Sequence, residues 1–202
     1  EGIQKLFDNI APDYDRLNHI LSLNIDKGWR KKAVRQIADE NRALKVLDVA
    51  CGTGDFTIEI ARKVAPGSEV TGVDISEGML AVGKEKVRKA GVSAELYVAD
   101  CEALPYEDNT FDRISVGFGV RNFEHLDIGL KEMFRVLKPE GKLVILSKIC
   151  NYGTKDVVVD VNLYGNDTLL QILSVAVPAG DSQIVYFDDF NYQGRTVSVE
   201  LS

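Results

Sequence analysis

From Lys45 to Ser147 short apolar runs alternate with helix-spaced segments, and this rhythm constrains the fold more than any other feature of the chain. The spacing predicts strands at Lys45–Val49, Glu69–Val73, Ala94–Val98, Phe111–Val116 and Lys142–Ser147. Helices are predicted between them at Asp55–Val64 and Gly78–Ala90, and another from the spacing of Leu130, Met133, Phe134 and Leu137. Lys138-Pro139-Glu140-Gly141 is read as the stop of that last helix. Strand and helix in alternation mean an α/β, doubly wound, mostly parallel Rossmann-like sheet with helices on both faces. Ligands on such sheets sit beyond the carboxyl ends of the strands, where the strand order reverses.

Ahead of this region, Ile3, Leu6, Phe7 and Ile10 predict a short amphipathic helix, followed by an apolar-rich stretch from Leu17 to Ile25. A helix from Asp26 to Glu40 should bury Trp29, Ala33, Val34 and Ile37 and leave Arg30, Lys31, Lys32 and Arg35 mostly in solvent. A net charge of −7 argues against a general nucleic-acid binder, which needs a basic surface. No apolar run is long enough to span a bilayer and no signal core follows the N-terminus, so a cytoplasmic protein is expected. Cys51, Cys101 and Cys150 form neither a disulfide framework nor a zinc motif, and no metal is expected.

The densest chemical signal is Val46-Leu47-Asp48-Val49-Ala50-Cys51-Gly52-Thr53-Gly54-Asp55. A buried strand delivers the chain to a glycine turn that opens a helix, where Gly52 and Gly54 let a ligand approach the backbone. Dinucleotide enzymes use such a turn too, but here Thr57 replaces the third glycine and the acid Asp48 precedes the turn. Asp74 and Asp100 follow the next two strands, and Cys101 stands beside Asp100. A carboxylate at the first position can accept both hydroxyls of a ribose, and one at the second an adenine amine. No lysine follows Gly54, so no phosphate cradle is built. A ligand with ribose and adenine but no phosphate is S-adenosylmethionine.

Asp48–Asp55, Val73-Asp74-Ile75-Ser76 and Ala103–Asp112 resemble the successive motifs of class I methyltransferases. Tyr14-Asp15-Arg16-Leu17-Asn18, Phe118-Gly119-Val120-Arg121-Asn122 and Arg135-Val136-Leu137-Lys138-Pro139 narrow the resemblance to the menaquinone/ubiquinone biosynthesis C-methyltransferases, over about residues 3–146. The resemblance implies that Thr53, Asp74, Asp100 and Cys101 contact the cofactor, with Asp48, Gly52, Gly54 and Gly117 completing its site. This sequence departs from the family's usual pattern at Leu17, Asp26, Gly117, Glu140-Gly141 and Ser147-Lys148-Ile149.

The implied chemistry is methyl transfer from a sulfonium to a ring carbon of a lipophilic quinol, met at the membrane surface. Arg121 would stabilise the aryl oxide and Asn122 orient the ring, unless the two are a loop-stabilising pair. Tyr14, Asp15, His19 and a water held by Arg121 are all candidates for the base, and Leu17–Ile25 for a lid over the quinol. Two other readings stay open: a methyltransferase for another small acceptor, and a cofactor-binding but inactive interaction module.

After Ser147 the rhythm changes. Residues 1–149 hold 22 basic and 24 acidic residues, whereas 150–202 hold 2 and 7. Val157–Leu163, Leu169–Val177, Gln183–Phe187 and Thr196–Leu201 read as strands, so 150–202 is expected to be a β-rich tail joined to a 1–149 methyltransferase domain. Asn151-x-Gly153-Thr154 through Pro178-Ala179-Gly180 resembles part of a bacterial immunoglobulin-like adhesion sandwich. A junction of unrelated segments near residue 149 is the favoured account. In a competing account, Gln183–Phe187 and Thr196–Leu201 supply the antiparallel hairpin that ends such sheets. About fifty residues without a disulfide are marginal alone, so the tail should dock on the domain or on a second copy.

Overall fold

The computed structural model describes residues 26–117, 119–165, 168–185 and 197–201. The expected helix at residues 3–10, the 17–25 lid, Tyr14, Asp15 and His19 lie outside them, as do Phe118, residues 186–187 and Thr196.

Helix α1 spans Asp26–Ile37, β1 Lys45–Val49, α2 Asp55–Ala61, β2 Glu69–Asp74, α3 Glu77–Ala90, β3 Glu95–Val98, β4 Phe111–Gly117, α4 Leu126–Val136 and β5 Leu137–Cys150. These strands form one sheet in the order β3-β2-β1-β4-β5, all parallel, as the alternating pattern requires. The order reverses between β1 and β4, which places the ligand crevice above those two strands.

The period of two along β1 sorts its side chains between the sheet's faces. Leu47 and Val49 join Ile114, Val116, Leu130, Met133 and Val136 on the α4 face. Val46 joins Ala33, Val34, Ile37, Phe56, Ile60, Val144 and Leu146 on the α1–α2 face. Each fully buried aliphatic side chain contributes roughly 1.5–3 kcal/mol, so the two layers hold the strands at fixed spacing.

Helix α1 ends at Ile37, three residues before the expected Glu40, and α2 ends at Ala61 rather than Val64. Lys31, Lys32 and Arg35 are exposed as expected, but Arg30 is 9 % exposed. Its guanidinium lies 3.6 Å from Asp55 and 3.8 Å from Glu59, because α1 packs directly on α2. Strand β5 begins at Leu137, five residues before the expected Lys142. Leu137 pairs with Phe111 and Lys142 with Arg113, so Lys138–Gly141 forms a bulge, with Glu140 at φ 63°. A Lys-Pro-Glu-Gly run marks a break in pairing as readily as the end of a helix.

In the tail, β6 (Val157–Gly165), β7 (Thr168–Val177) and β9 (Val197–Leu201) form an antiparallel sheet in the order β7-β6-β9. Strand β8 (Ser182–Val185) instead pairs antiparallel with Ser147–Cys150 and becomes the sixth strand of the main sheet. The two candidate hairpin segments thus part company: one extends the main sheet and the other joins β6. Strand β5 runs across residues 149 and 150, and Asn151 secures the crossing. Its amide donates to the carbonyls of Lys155 (2.8 Å) and Val177 (3.0 Å), and its backbone N–H to that of Asp181 (2.9 Å).

Candidate cofactor site

Four chain segments meet at the carboxyl ends of β3, β2, β1 and β4, in that spatial order. The segment after β1 folds back sharply, with Ala50 at φ 52°, Gly52 at 55° and Gly54 at 77°, the last being the N-cap of α2. A Cβ on Gly52 would meet nothing within 4 Å, so the turn presents bare backbone to open space. Gly83 of α3 lies under the turn, where a Cβ would come 3.2 Å from the Thr53 carbonyl carbon. The sequence reading missed this glycine, which lets α3 approach the turn closely.

Asp48 is 1 % exposed and faces α2, as the strand alternation dictates. Its carboxylate accepts from the Thr57 hydroxyl at 2.6 Å and from the Ser115 hydroxyl of β4 at 2.8 Å. Burial raises its pKa to about 6. The side chain thus ties β1, α2 and β4 together beneath the turn. Thr57, standing where a dinucleotide motif has glycine, supplies one of these hydroxyls, a role the sequence did not announce; nor did it announce that of Ser115.

Asp74 closes β2, half-buried, and its carboxylate accepts the Gly52 N–H at 2.8 Å and the Ser76 N–H at 2.9 Å. An ionised carboxylate has about four acceptor sites, so one such group can hold several donors at once. Ile75, 41 % exposed, follows it, and Val98, 51 % exposed, pairs with Asp74 across β2 and β3. Asp100 is exposed two residues further and accepts the Glu102 N–H at 2.9 Å. Cys101 is half-buried, and burial together with Asp100 and Glu102 pushes its thiol up to about 12.

Thr53 faces inward, 4 % exposed, and its hydroxyl accepts from the Lys86 ammonium at 3.2 Å. Lys86 also pairs with Asp55 at 2.6 Å, so α3 grips the start of α2. Gly117 ends β4, where a Cβ would meet the Phe56 ring at 3.3 Å. Arg121 and Asn122 belong to a 3-10 turn, Gly119–Asn122, directly beyond that strand end. A Cβ on Gly119 would lie 2.4 Å from the Ala50 Cβ, so the loops after β1 and β4 touch.

The structure therefore brings Gly52, Gly54, Asp74, Asp100, Cys101, Gly117 and the Arg121–Asn122 turn to one rim, with Asp48 and Thr53 directed into the protein below it. The bare Gly52 backbone and the Asp74 carboxylate thus stand side by side on that rim.

A family model, the ubiE/COQ5 methyltransferase family, matches residues 1–198. The demethylmenaquinone methyltransferase of Bacteroides fragilis is 53% identical over 148 residues, 72% of this chain and 60% of that protein. The ubiquinone/menaquinone biosynthesis C-methyltransferase UbiE of Geobacter sulfurreducens is 47% identical over 148 residues, 72% of this chain and 57% of that protein. The chain thus spans about 60% of the length of the curated relatives it matches. Among solved structures, phosphoethanolamine N-methyltransferase 2 of Haemonchus contortus, in complex with S-adenosyl-L-methionine, superposes with a TM-score of 0.56 at 26% identity. That likeness covers 63% of this chain and 29% of the other. With its motifs, its sheet and its rim of glycine and carboxylates, this chain belongs to the ubiE/COQ5 methyltransferase family.

Proposed function

We propose that the chain binds S-adenosylmethionine along the carboxyl ends of β1–β4 and methylates a ring carbon of a prenylated quinol of the demethylmenaquinol type. The observation that carries this reading is Asp74, held by the Gly52 and Ser76 amides beside a glycine with open space in front of it. Asp74 then accepts the ribose hydroxyls, and Asp100 accepts the exocyclic amine. The purine lies between Ile75 and the Cys101 side of the next loop. Gly52 leaves room for the rest of the ligand, Gly54 and Gly117 let Leu96 and Phe56 pack closely behind the rim, and Asp48 and Thr53 act from beneath by fixing the turn.

When bound, S-adenosylmethionine supplies a methyl group made electrophilic by its sulfonium. The chain's part is to hold the acceptor carbon in line with that methyl group and to stabilise the charge that makes the carbon nucleophilic. Arg121 would supply the aryl oxide with a cation that does not deprotonate, and Asn122 would orient the ring. As the carbon–carbon bond forms, the bond from sulfur to methyl breaks. The hydroxyl proton leaves before this step and the ring proton after it. Tyr14, Asp15, His19 and a water held by Arg121 remain the candidates for taking them.

The quinol is lipophilic, so this reading has a cytoplasmic chain meeting it at the membrane surface; among the described residues no helix is long and apolar enough to cross one. Residues 1–149 form the methyl-transferring unit, and residues 150–202 a β-rich tail through which copies associate. The test is radiolabelled methyl transfer to a short-chain 2-prenyl-1,4-naphthoquinol against a panel of catechols and amines. Transfer to the naphthoquinol alone is expected. Transfer only to another acceptor overturns the quinol assignment. Cofactor binding with no transfer to anything leaves the interaction module in its place.

A further inference from the structure

The loop after β3 and the loop after β4 serve different halves of the proposed reaction, yet both are mounted on α4. Glu102 directly follows Cys101, and its carboxylate accepts the backbone N–H of His125, the N-cap of α4, at 2.6 Å. The second carboxylate oxygen lies 2.9 Å from His125 Nδ1. His125 offers no side-chain cap of its own, so Glu102 supplies the negative charge that a helix N-terminus favours. Three residues earlier the chain leaves the Gly119–Asn122 turn.

Two further contacts join the same segments. A Cβ on Gly129 of α4 would come 2.7 Å from the Phe123 ring and 3.8 Å from the Cys101 carbonyl oxygen, so both loops converge on that bare helix position. One turn along, Glu132 accepts the Leu104 N–H at 2.9 Å, and Arg135 donates to the carbonyls of Leu104 (2.9 Å) and Tyr106 (2.7 Å). The residue pairs are 23 to 31 positions apart in sequence.

We infer that Glu102 is a positioning residue that couples the two loops: its cap on α4 transmits cofactor contact at Asp100–Cys101 to the Arg121–Asn122 turn that receives the acceptor. The inference rests on the reading under Proposed function and adds an order to it, with cofactor setting the acceptor loop before the acceptor arrives. Groups facing the Glu102–His125 pair are Glu124 and Asp127, both acidic. These, with Glu102 first, raise the His125 pKa, so the charged pair persists on the acid side and weakens as His125 loses its proton.

Hydrogen exchange of the whole chain, with and without S-adenosylmethionine, tests this. In the wild type the ligand should slow amides at 50–54 and 74–76 and also at 119–129. In Glu102→Ala, protection at 50–54 and 74–76 should remain while that at 119–129 is lost, with ligand Kd raised about fivefold, a modest value for coupled sites. Glu102→Gln keeps an acceptor for the His125 N–H and should lie between; it decides the matter if the alanine variant does not fold. Equal protection of 119–129 in wild type and both variants overturns the coupling. A wild type that binds no S-adenosylmethionine overturns instead the reading on which the coupling rests.

Discussion

The two ends of the parallel sheet hold most of their carboxylates in different ways, Asp55 with its Lys86 and Arg30 partners being the exception at the carboxyl end. At the amino end, opposite charges meet directly: Arg113 is 1 % exposed and pairs with Asp39 (2.9 Å) and Glu40, while Asp112 receives Arg42 (3.2 Å), Lys138 (3.1 Å) and the Lys45 N–H (2.8 Å). Lys142 adds a further pair to Asp39. At the carboxyl end, Asp74 and Asp100 are held by backbone amides and Asp48 by two hydroxyls. Amides fix a carboxylate's position without using up all its acceptor sites, whereas a cation claims its charge. The amino end fastens α1 to the strands; the carboxyl end holds Asp74 and Asp100 through the backbone, with Asp48 buried beneath them.

The largest effect should come from the carboxyl end. Asp74→Ala removes the ribose acceptor and the anchor of the Gly52 amide together. At about 1.5 kcal/mol or more for each bond to a charged group, S-adenosylmethionine affinity should fall about a hundredfold by calorimetry. A variant binding as tightly as wild type would remove the ribose from this position. Next comes Arg113→Met, which leaves Asp39 and Glu40 without their buried partner and should cost about 2 kcal/mol in urea unfolding. This is less than a fully buried pair would lose, since both acids are partly solvated. Cofactor affinity should stay within about twofold, because the change lies at the far end of the strands; a larger loss would erase the division between ends.

A third effect separates the ends by pH. Asp39, Glu40 and Asp112 are held below their usual values, Asp39 and Asp112 despite burial and Glu40 chiefly by Arg113. Their contribution is present above the unfolded value near 4 and is lost as pH falls through their lower folded values. Asp48 runs the other way. Burial raises it to about 6, so between about pH 4 and 6 the folded state holds a proton that the unfolded chain does not. Its contribution is therefore largest below pH 4 and is lost as pH rises to 6. Asp48→Asn should flatten that decline, whose slope is at most about 1.4 kcal/mol per pH unit, in thermal scans between pH 4 and 7. Identical slopes in the two proteins would contradict the raised value.

Most of the main sheet could be read from the residues. Strand β1 and the glycine turn carry both the apolar run and the turn chemistry locally, and β1, β2 and β4 occupy their expected positions within a residue. What could not be read depends on partners distant in sequence. Ser115 meets Asp48 across 67 positions, and Arg113 looks like any charged residue until Asp39, 74 positions away, is brought beside it. Glu102, Glu132 and Arg135 are ordinary surface residues in the sequence and acquire meaning only once α4 lies across the β3 loop. The tail illustrates the same limit. Its strands were legible from alternation, but alternation says nothing about which strand pairs with which, and β8 and β9 went to different sheets.

The attachment of β8 to Ser147–Cys150 has a consequence during synthesis. The parallel strands β1–β5 are complete once Cys150 has left the ribosome, but the strand that covers their outer edge follows about thirty residues later. At about 5–20 residues per second, the nascent sheet spends roughly two to six seconds with the end of β5 unpaired. An open strand edge of that kind is a template for pairing with another chain. Crowding of nascent chains on one message should therefore favour misassembly at this edge, and slowing translation after residue 150 should lengthen the vulnerable interval.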